Sequence, residues 1–211
     1  MIRRQNLNPK IILASQSPRR RELLELAVKD FEIKVADIDE KKIEMDILKN
    51  QDGDFLAAAK KLVLELSLRK AQEIQKDNQE ALVIGADTVV VLNDQILGKP
   101  MDEDDAYRMI KILSGNTHRV LTGVSIKFGN LEEQFVSVSK IKFFSWNKQM
   151  KREVRAYVAS GKAMDKAGAY GIQEEAGLWV KWIKGDYNNI VGLPIAQLNK
   201  RLNKLMNKKV N

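Results

Sequence analysis

The chain has 211 residues, 44% of them hydrophobic, which is enough for one large domain with a packed core. It contains no cysteine and a single histidine, His118, so disulfides, thiolate metal sites and multi-histidine zinc cages are excluded within the chain. Any metal must therefore bind to oxygen ligands, which favours Mg²⁺ or Mn²⁺. The formal net charge of +8 suits either a nucleic acid or a small polyanion, and charge alone does not decide between them.

The first half of the chain predicts alternating strands and helices with one mobile loop. Its first apolar run is far too short for a signal-peptide core or a membrane span, so we expect a cytoplasmic location. The expected elements are, in order, a strand over 10–14, a helix over 19–28 capped by Ser17 and Pro18, a strand over 31–38, a loop over 40–51, a helix over 54–75, a strand over 81–86, and a hairpin of 88–92 with 96–97.

The second half predicts a helix, a pair of long antiparallel strands and a glycine-rich loop. The expected elements are a helix over 102–113, strands over 119–128 and 134–144, a helix over 146–159, a structured loop over 160–177, a strand over 178–183, and a closing helix over 194–206 that frays beyond Met206. Because no repeat, Pro-rich linker or low-complexity block interrupts the chain, we expect a single mixed α/β domain over residues 1–211.

The first cluster of candidate functional residues follows the first predicted strand. Ser15, Ser17, Arg19 and Arg20 bring two hydroxyls, the free amides of a helix N-terminus and two guanidinium groups to one place, which predicts a phosphate cradle. The alternative is an ordinary helix cap with solvated arginines. The segment is not a Walker A loop, because G-x-x-x-x-G-K-[ST] occurs nowhere in the chain.

A second cluster surrounds the apolar run at 81–86. Asp87 leaves the end of this predicted strand, where α/β sheets commonly form a ligand crevice, and is a candidate metal ligand or base. The alternative is an aspartate that bonds the backbone of its own turn. Lys99 stands between Gly98 and Pro100, where it either contacts a phosphate oxygen or is a solvated turn residue.

A third cluster comprises the glycine-rich segments 164–173 and 185–194. Glycines let the backbone approach a ligand closely, and Gln173 offers both a donor and an acceptor to a base edge, although such segments are also common as simple turns. His118, within 113–120, is expected to be a structural histidine that bonds a loop rather than a catalytic one.

Taken together, SQSPRR, GADTVV, LGKP, LSGNTHRVLTGVSI, DKAGAYGIQ and GDYNNIVGLP resemble the motifs of the Maf family of nucleotide pyrophosphatases. The resemblance extends from Ile11 to about Leu202. It implies an α/β fold with a central mixed sheet in two lobes flanking a cleft, similar to inosine triphosphate pyrophosphatases, and in many members a homodimer. It also implies hydrolysis of nucleoside triphosphates between the α- and β-phosphates. The forms SPRR, ADT and DKAGAYGIQ resemble the branch acting on dTTP, UTP and modified uridine triphosphates.

The resemblance also implies roles for individual residues. Asp87 matches the proposed base, and Glu40 matches its acidic partner at a site for Mg²⁺ or Mn²⁺. Lys99 matches a phosphate-binding lysine, and Lys70 matches the lysine of the family's helix. The positions that set substrate specificity carry Arg19, Thr88 and Gln173.

These roles fit hydrolysis of a triphosphate, because its negative charges must be neutralised before water can attack phosphorus. Asp87 is expected to orient and deprotonate that water, with the metal bridging phosphate oxygens. One alternative is a nucleic-acid-binding or septum-formation regulatory protein, which would not need Asp87. A kinase-like phosphotransferase is disfavoured, because the Walker and protein-kinase motifs are absent. A nucleoside triphosphate is thus the expected partner, rather than a nucleic acid or a membrane.

Overall fold

The structure is a computed structural model that describes residues 9–49 and 53–208. Within these residues it contains seven strands and seven α-helices. They are β1 Ile11–Ala14, α1 Pro18–Glu25, β2 Glu32–Lys34, α2 Glu40–Lys49, α3 Phe55–Lys76, β3 Leu82–Leu92, β4 Gln95–Leu97, α4 Glu103–Leu113, β5 Thr117–Phe128, β6 Leu131–Phe143, α5 Lys148–Ala159, β7 Val180–Lys184, α6 Tyr187–Val191 and α7 Ile195–Lys208.

The strands form one mixed sheet in the order β2-β1-β3-β5-β6-β7, with β4 paired to the far end of β3. β1 runs parallel to both β2 and β3, whereas the other pairs are antiparallel. The predicted α/β fold with a central mixed sheet is therefore confirmed. None of the helices within residues 9–49 and 53–208 is long and apolar enough to span a membrane.

One edge of β3 has a gap between two partners. β1 pairs with β3 as far as Gly85, and β4 pairs with it from Val90 onward. On the opposite edge β5 pairs with β3 across the whole interval. Residues 86–89 thus have no strand partner on one side within the described chain, and the sheet is open there.

Helices cover both faces of the sheet. Val89 and Val91 belong to a core cluster with Leu62 of α3, whereas Val90 belongs to the larger cluster on the opposite face, which includes Leu24 of α1. Successive side chains of a strand point to opposite faces, and these two clusters show which face each β3 residue takes. The same alternation places Asp87 on the α3 face and Thr88 on the α1 face.

Three predictions of secondary structure need correction. The expected loop over 40–51 is helix α2 as far as Lys49, while residues 50–51 lie outside the described chain. Ile43 and Ile47 of α2, one helical turn apart, pack against the α3 cluster, and polar residues dominate the rest of the helix. The strands expected over 81–86 and 88–92 are one continuous strand, β3. The closing helix continues to Lys208, and residues 209–211, where fraying was expected, lie outside the described chain.

We expect Gly85→Ala to destabilise the protein, because a Cβ atom at this position would overlap the backbone carbonyl oxygen of Ser67 in α3. Such overpacking against rigid backbone typically costs about 1–3 kcal/mol of unfolding free energy. Urea unfolding of the variant and its parent measures the difference. Gly98→Ala is the matched control, because nothing lies within 4 Å of its added Cβ. Equal midpoints for all three proteins would contradict the close contact between α3 and the sheet.

Candidate active site

A cleft of about 600 Å³ opens at the gap beside β3. Its walls come from both faces of the sheet: α2 and α3 contribute on one side, and the start of α1, the 165–170 segment and α6 on the other. Of the residues predicted to form the site, all but Gln173 line it: Ser15, Ser17, Arg19, Arg20, Glu40, Lys70, Asp87, Thr88 and Lys99.

Arg20 is held by three protein acceptors on the α1 side of the cleft. Its Nε donates to the carbonyl oxygen of Gly192 (2.9 Å), Nη1 to Ser15 Oγ (3.2 Å) and Nη2 to Thr88 Oγ1 (3.0 Å). A guanidinium has five N–H donors, so two remain for a ligand. Ser17 caps α1 and Pro18 occupies its first turn, as predicted, which aims the amides of the helix N-terminus at the same space.

No acidic side chain among the described residues lies within ion-pair distance of Arg20. Burial lowers the pKa of its guanidinium from the ordinary value, and the charge of Asp87 opposes this shift only in part. The group still remains protonated, because an arginine pKa lies far above neutrality. Arg20 is therefore a partly buried cation that faces the cleft without an anionic partner among the described residues, which favours the binding of an anion there.

A network of buried polar groups fixes the position of Thr88. Thr88 Oγ1 lies 3.0 Å from Thr122 Oγ1, and Thr122 Oγ1 donates to the carbonyl oxygen of Asn189 (3.0 Å). Asn189 in turn donates to the carbonyl oxygen of Val120 (3.0 Å). The glycine-rich segment 185–194 thus contributes Asn189 and Gly192 as supports for Thr88 and Arg20. Sequence reasoning assigned neither residue, although both lie in the GDYNNIVGLP motif.

Arg19, in contrast to its neighbour, has an ionic partner. Its Nη1 donates to Asp165 Oδ2 (2.9 Å), and the other oxygen of Asp165 accepts from Lys166 Nζ (2.8 Å). Partial burial alone would raise the pKa of Asp165, but the hydrogen bonds from Lys166 and Arg19 lower it. Lys166 is buried and also contacts Glu174 Oε1 at 3.1 Å. Asp165 and Lys166 were missed as site residues, although they open the DKAGAYGIQ motif.

The other wall of the cleft carries acidic groups around one lysine. Lys70 Nζ, from α3, lies 2.6 Å from Asp87 Oδ1 and 2.9 Å from Glu40 Oε1. Asp87 lies in the middle of β3, so the prediction that it leaves the end of a strand is wrong. The alternative of a turn-forming aspartate is wrong for the same reason. Asp87 reaches the cleft because β3 lacks a partner at this point, rather than because the strand ends.

Glu44 is a further acidic residue of this wall that sequence reasoning missed. Because α2 is a helix, Glu44 lies one turn after Glu40 on the same side, and both line the cleft. Partial burial, together with the negative charges of Asp87 and Glu40, raises the pKa of Glu44. The four-residue spacing of Glu40 and Glu44 could have identified it. That spacing places two side chains on one side only in a helix, and this segment was predicted to be a loop.

Gln173 is exposed and is not among the residues that line the cleft. Its neighbour Ile172, in contrast, is buried in the larger core cluster. The structure therefore does not bring Gln173 together with Arg19 and Thr88, and its contact with a base stays a prediction.

His118 is fully buried behind the cleft wall. Its Nε2 lies 2.8 Å from the hydroxyl of Tyr170, a residue that lines the cleft. Burial lowers the pKa of His118 to about 3 and raises the pKa of Tyr170. His118 thus bonds a loop, as expected of a structural histidine, and stays neutral at physiological pH.

The two walls of the cleft meet at the gap in the mixed sheet. The cationic wall carries Arg20, and the acidic wall carries Glu40, Glu44 and Asp87 around Lys70. The chain is thus an α/β protein whose cleft suits a polyanionic ligand. The family model for Maf-like protein matches residues 10–205, and the chain belongs to this family.

Two relatives illustrate the similarity. A protein of Geobacillus sp. (strain WCH70) named dTTP/UTP pyrophosphatase is 44% identical over 195 residues, covering 92% of this chain and 97% of the relative. A Bacillus cereus (strain B4264) protein of the same name is 42% identical over 193 residues, covering 92% of this chain and 94% of the relative.

We expect Arg20→Lys to weaken the binding of inorganic triphosphate, measured by calorimetry, by roughly tenfold or more. A lysine keeps the charge but cannot contact Ser15, Thr88 and Gly192 at once while also reaching a phosphate. Arg21→Lys is the control, because Arg21 lies on the same helix, is exposed and pairs with Glu25. Equal affinity of the two variants would show that the guanidinium group of Arg20 does not position the ligand.

His118 makes the stability of the protein sensitive to acid. Between pH 6.5 and about 3 the unfolded chain binds a proton on this residue and the folded chain does not. The unfolding free energy is therefore expected to fall as the pH drops through this window, and His118→Gln is expected to flatten the fall. Urea unfolding at a series of pH values measures both slopes. Parallel curves for parent and variant would contradict the burial of a neutral histidine.

Proposed function

We propose that this chain hydrolyses dTTP, UTP and modified uridine triphosphates between the α- and β-phosphates, releasing a monophosphate and pyrophosphate. The observation that carries the proposal is Arg20, a partly buried cation without an acidic partner among the described residues, which faces Asp87 and Lys70 across one cleft. The relatives named dTTP/UTP pyrophosphatase support the substrate class.

The charges on the cleft walls suit a triphosphate. Arg20 and the amides at the N-terminus of α1 offer donors on one wall, and Lys99 adds an exposed cation nearby. Lys70 offers a cation on the other wall, next to Asp87. A phosphate chain that crosses the gap in the sheet is neutralised from both sides, which lowers the barrier to attack at phosphorus.

Asp87 is the proposed general base. Its Oδ1 accepts the hydrogen bond from Lys70, and Oδ2 accepts none from the residues that the structure describes. In the protein without a ligand the carboxylate is thus held through one oxygen, and the other oxygen is free to accept a proton from an attacking water. Thr88, the next residue, points to the opposite face and holds Arg20, so one strand positions both the base and the phosphate-binding group.

We also propose that Mg²⁺ or Mn²⁺ binds at Glu40 and Asp87. The residues fit such an ion, because oxygens of both carboxylates already lie within 2.9 Å of a single cation, Lys70 Nζ. No set of three or more ligand-type side chains in the described part of the chain is arranged to hold a metal by itself. The remaining ligands would therefore be phosphate oxygens and water, as is usual for Mg²⁺. A bound ion would supply further charge neutralisation at the phosphates.

A nucleic-acid-binding or septum-formation role is not favoured over this proposal, because the distinctive groups line a concave cleft of nucleotide size rather than an open surface. Homodimer formation and a cytoplasmic location remain predictions.

The test is to incubate the protein with dTTP, UTP and 7-methyl-GTP in Mg²⁺ or Mn²⁺ and to identify the products. We expect pyrophosphate and a monophosphate from dTTP and UTP, with slower turnover of 7-methyl-GTP. Asp87→Asn is expected to lower turnover by roughly a hundred- to ten-thousand-fold, because the amide cannot act as a base.

Asp94→Asn is the control, since Asp94 lies exposed in the turn between β3 and β4. Release of orthophosphate instead of pyrophosphate would overturn the reaction type. An Asp87→Asn variant that melts like the parent and keeps parental turnover would remove this residue from the mechanism.

A further inference from the structure

The ammonium group of Lys70 holds together two carboxylates of the acidic wall, those of Glu40 and Asp87. Its Nζ lies 2.6 Å from Asp87 Oδ1 and 2.9 Å from Glu40 Oε1, so one cation neutralises oxygens that come from β3 and from the start of α2. The side chains of Lys70 and Asp87 are only 12% and 11% exposed. Water therefore screens this pair weakly compared with an ion pair on the surface.

The backbone around Lys70 is fixed, which determines where its side chain can go. Residues 67 and 71 of α3 lie directly against Gly85 of β3, and the buried side chains of Leu62 and Leu66 hold this helix on the sheet. Lys70 can instead change position by rotating its flexible four-carbon side chain within the cleft. A phosphate group in the cleft would offer the displaced ammonium another anionic partner.

We propose that Lys70 is a built-in competitor of the divalent ion: its ammonium occupies the cation position between Glu40 and Asp87 and must withdraw before a metal can bind there. This inference rests on the metal site of the proposed function. A divalent ion and the ammonium would repel each other strongly in so small a space, because Lys70 already contacts one oxygen of each carboxylate that the metal would use. The nucleotide-free protein consequently binds a divalent ion weakly, because no phosphate is present to pair with the displaced ammonium of Lys70.

If Lys70 competes with the metal, removing its charge strengthens metal binding. If Lys70 merely supports the site, removing its charge weakens metal binding. Lys70→Met removes the competing charge while keeping much of the apolar side chain. We expect the nucleotide-free variant to bind Mn²⁺ roughly tenfold or more tightly than the parent. Electron paramagnetic resonance of free Mn²⁺ measures this without any hydrolysis. The result is thus independent of whether the chain releases pyrophosphate.

Three further variants define the experiment. Lys70→Arg keeps the charge and is expected to bind Mn²⁺ as weakly as the parent. Lys61→Met removes the same charge from an exposed position of the same helix and controls for the change in net charge. In Lys70→Met combined with Asp87→Asn, the gain in affinity is expected to disappear, because one of the two carboxylates is lost.

Thermal unfolding supplies a second readout. Without metal, Lys70→Met leaves Glu40 and Asp87 facing each other unneutralised, so its melting temperature is expected to fall below that of the parent. Added Mn²⁺ is expected to raise the melting temperature of this variant more than that of the parent. Unchanged or weaker Mn²⁺ binding by folded Lys70→Met, or an equal gain in Lys61→Met, would overturn the inference. Absence of Mn²⁺ binding in every variant would overturn it as well.

Discussion

The gap along one edge of β3 is the constraint on which the site depends. A β-sheet normally separates the side chains of its two faces, and Asp87 and Thr88 point to different faces. Where β1 has ended and β4 has not begun, one ligand can contact both. The sheet also keeps the two sets of charges apart, so Asp87 pairs with Lys70 and leaves Arg20 without a carboxylate partner among the described residues. A compact pocket would have allowed these groups to neutralise each other.

Two glycines next to Asp87 explain why Lys70 can reach it. Gly85 precedes Asp87 on the same face of β3, and Gly123 is its partner across the strand pair with β5. A Cβ atom at either glycine would overlap a carbonyl oxygen of α3, that of Ser67 or that of Val63. Bare backbone at both positions lets the helix approach the sheet unusually closely. The distance between a lysine and an aspartate is thus set by residues that carry no side chain.

The sequence predicted the class of fold and nine of the residues that line the cleft, because the motifs coincide with local signals of secondary structure. Ser17 and Pro18 mark the start of a helix, and parallel β1 and β3 bring their motifs side by side. It could not predict the gap, since strand periodicity does not reveal where a neighbouring strand ends. Helix α2 was not predicted because none of its residues is fully buried. Glu44 was missed as a site residue for the same reason, since its position relative to Glu40 follows from the helix. The Arg19–Asp165 pair joins residues 146 positions apart, which no local pattern encodes.

The two adjacent arginines at the start of α1 contribute to binding in different ways. Arg19 already pairs with Asp165, which also binds Lys166. Lys166 in turn contacts Glu174, and Glu174 accepts a hydrogen bond from the hydroxyl of Tyr157. A phosphate that binds Arg19 shares the charge of this guanidinium with Asp165, so its net gain in free energy is smaller than at an arginine without a carboxylate partner. At Arg20 a phosphate adds charged contacts and displaces no carboxylate of the described chain. Arg20 therefore contributes more binding free energy than Arg19, whose pair with Asp165 ties the start of α1 to the glycine-rich segment on the same side of the cleft.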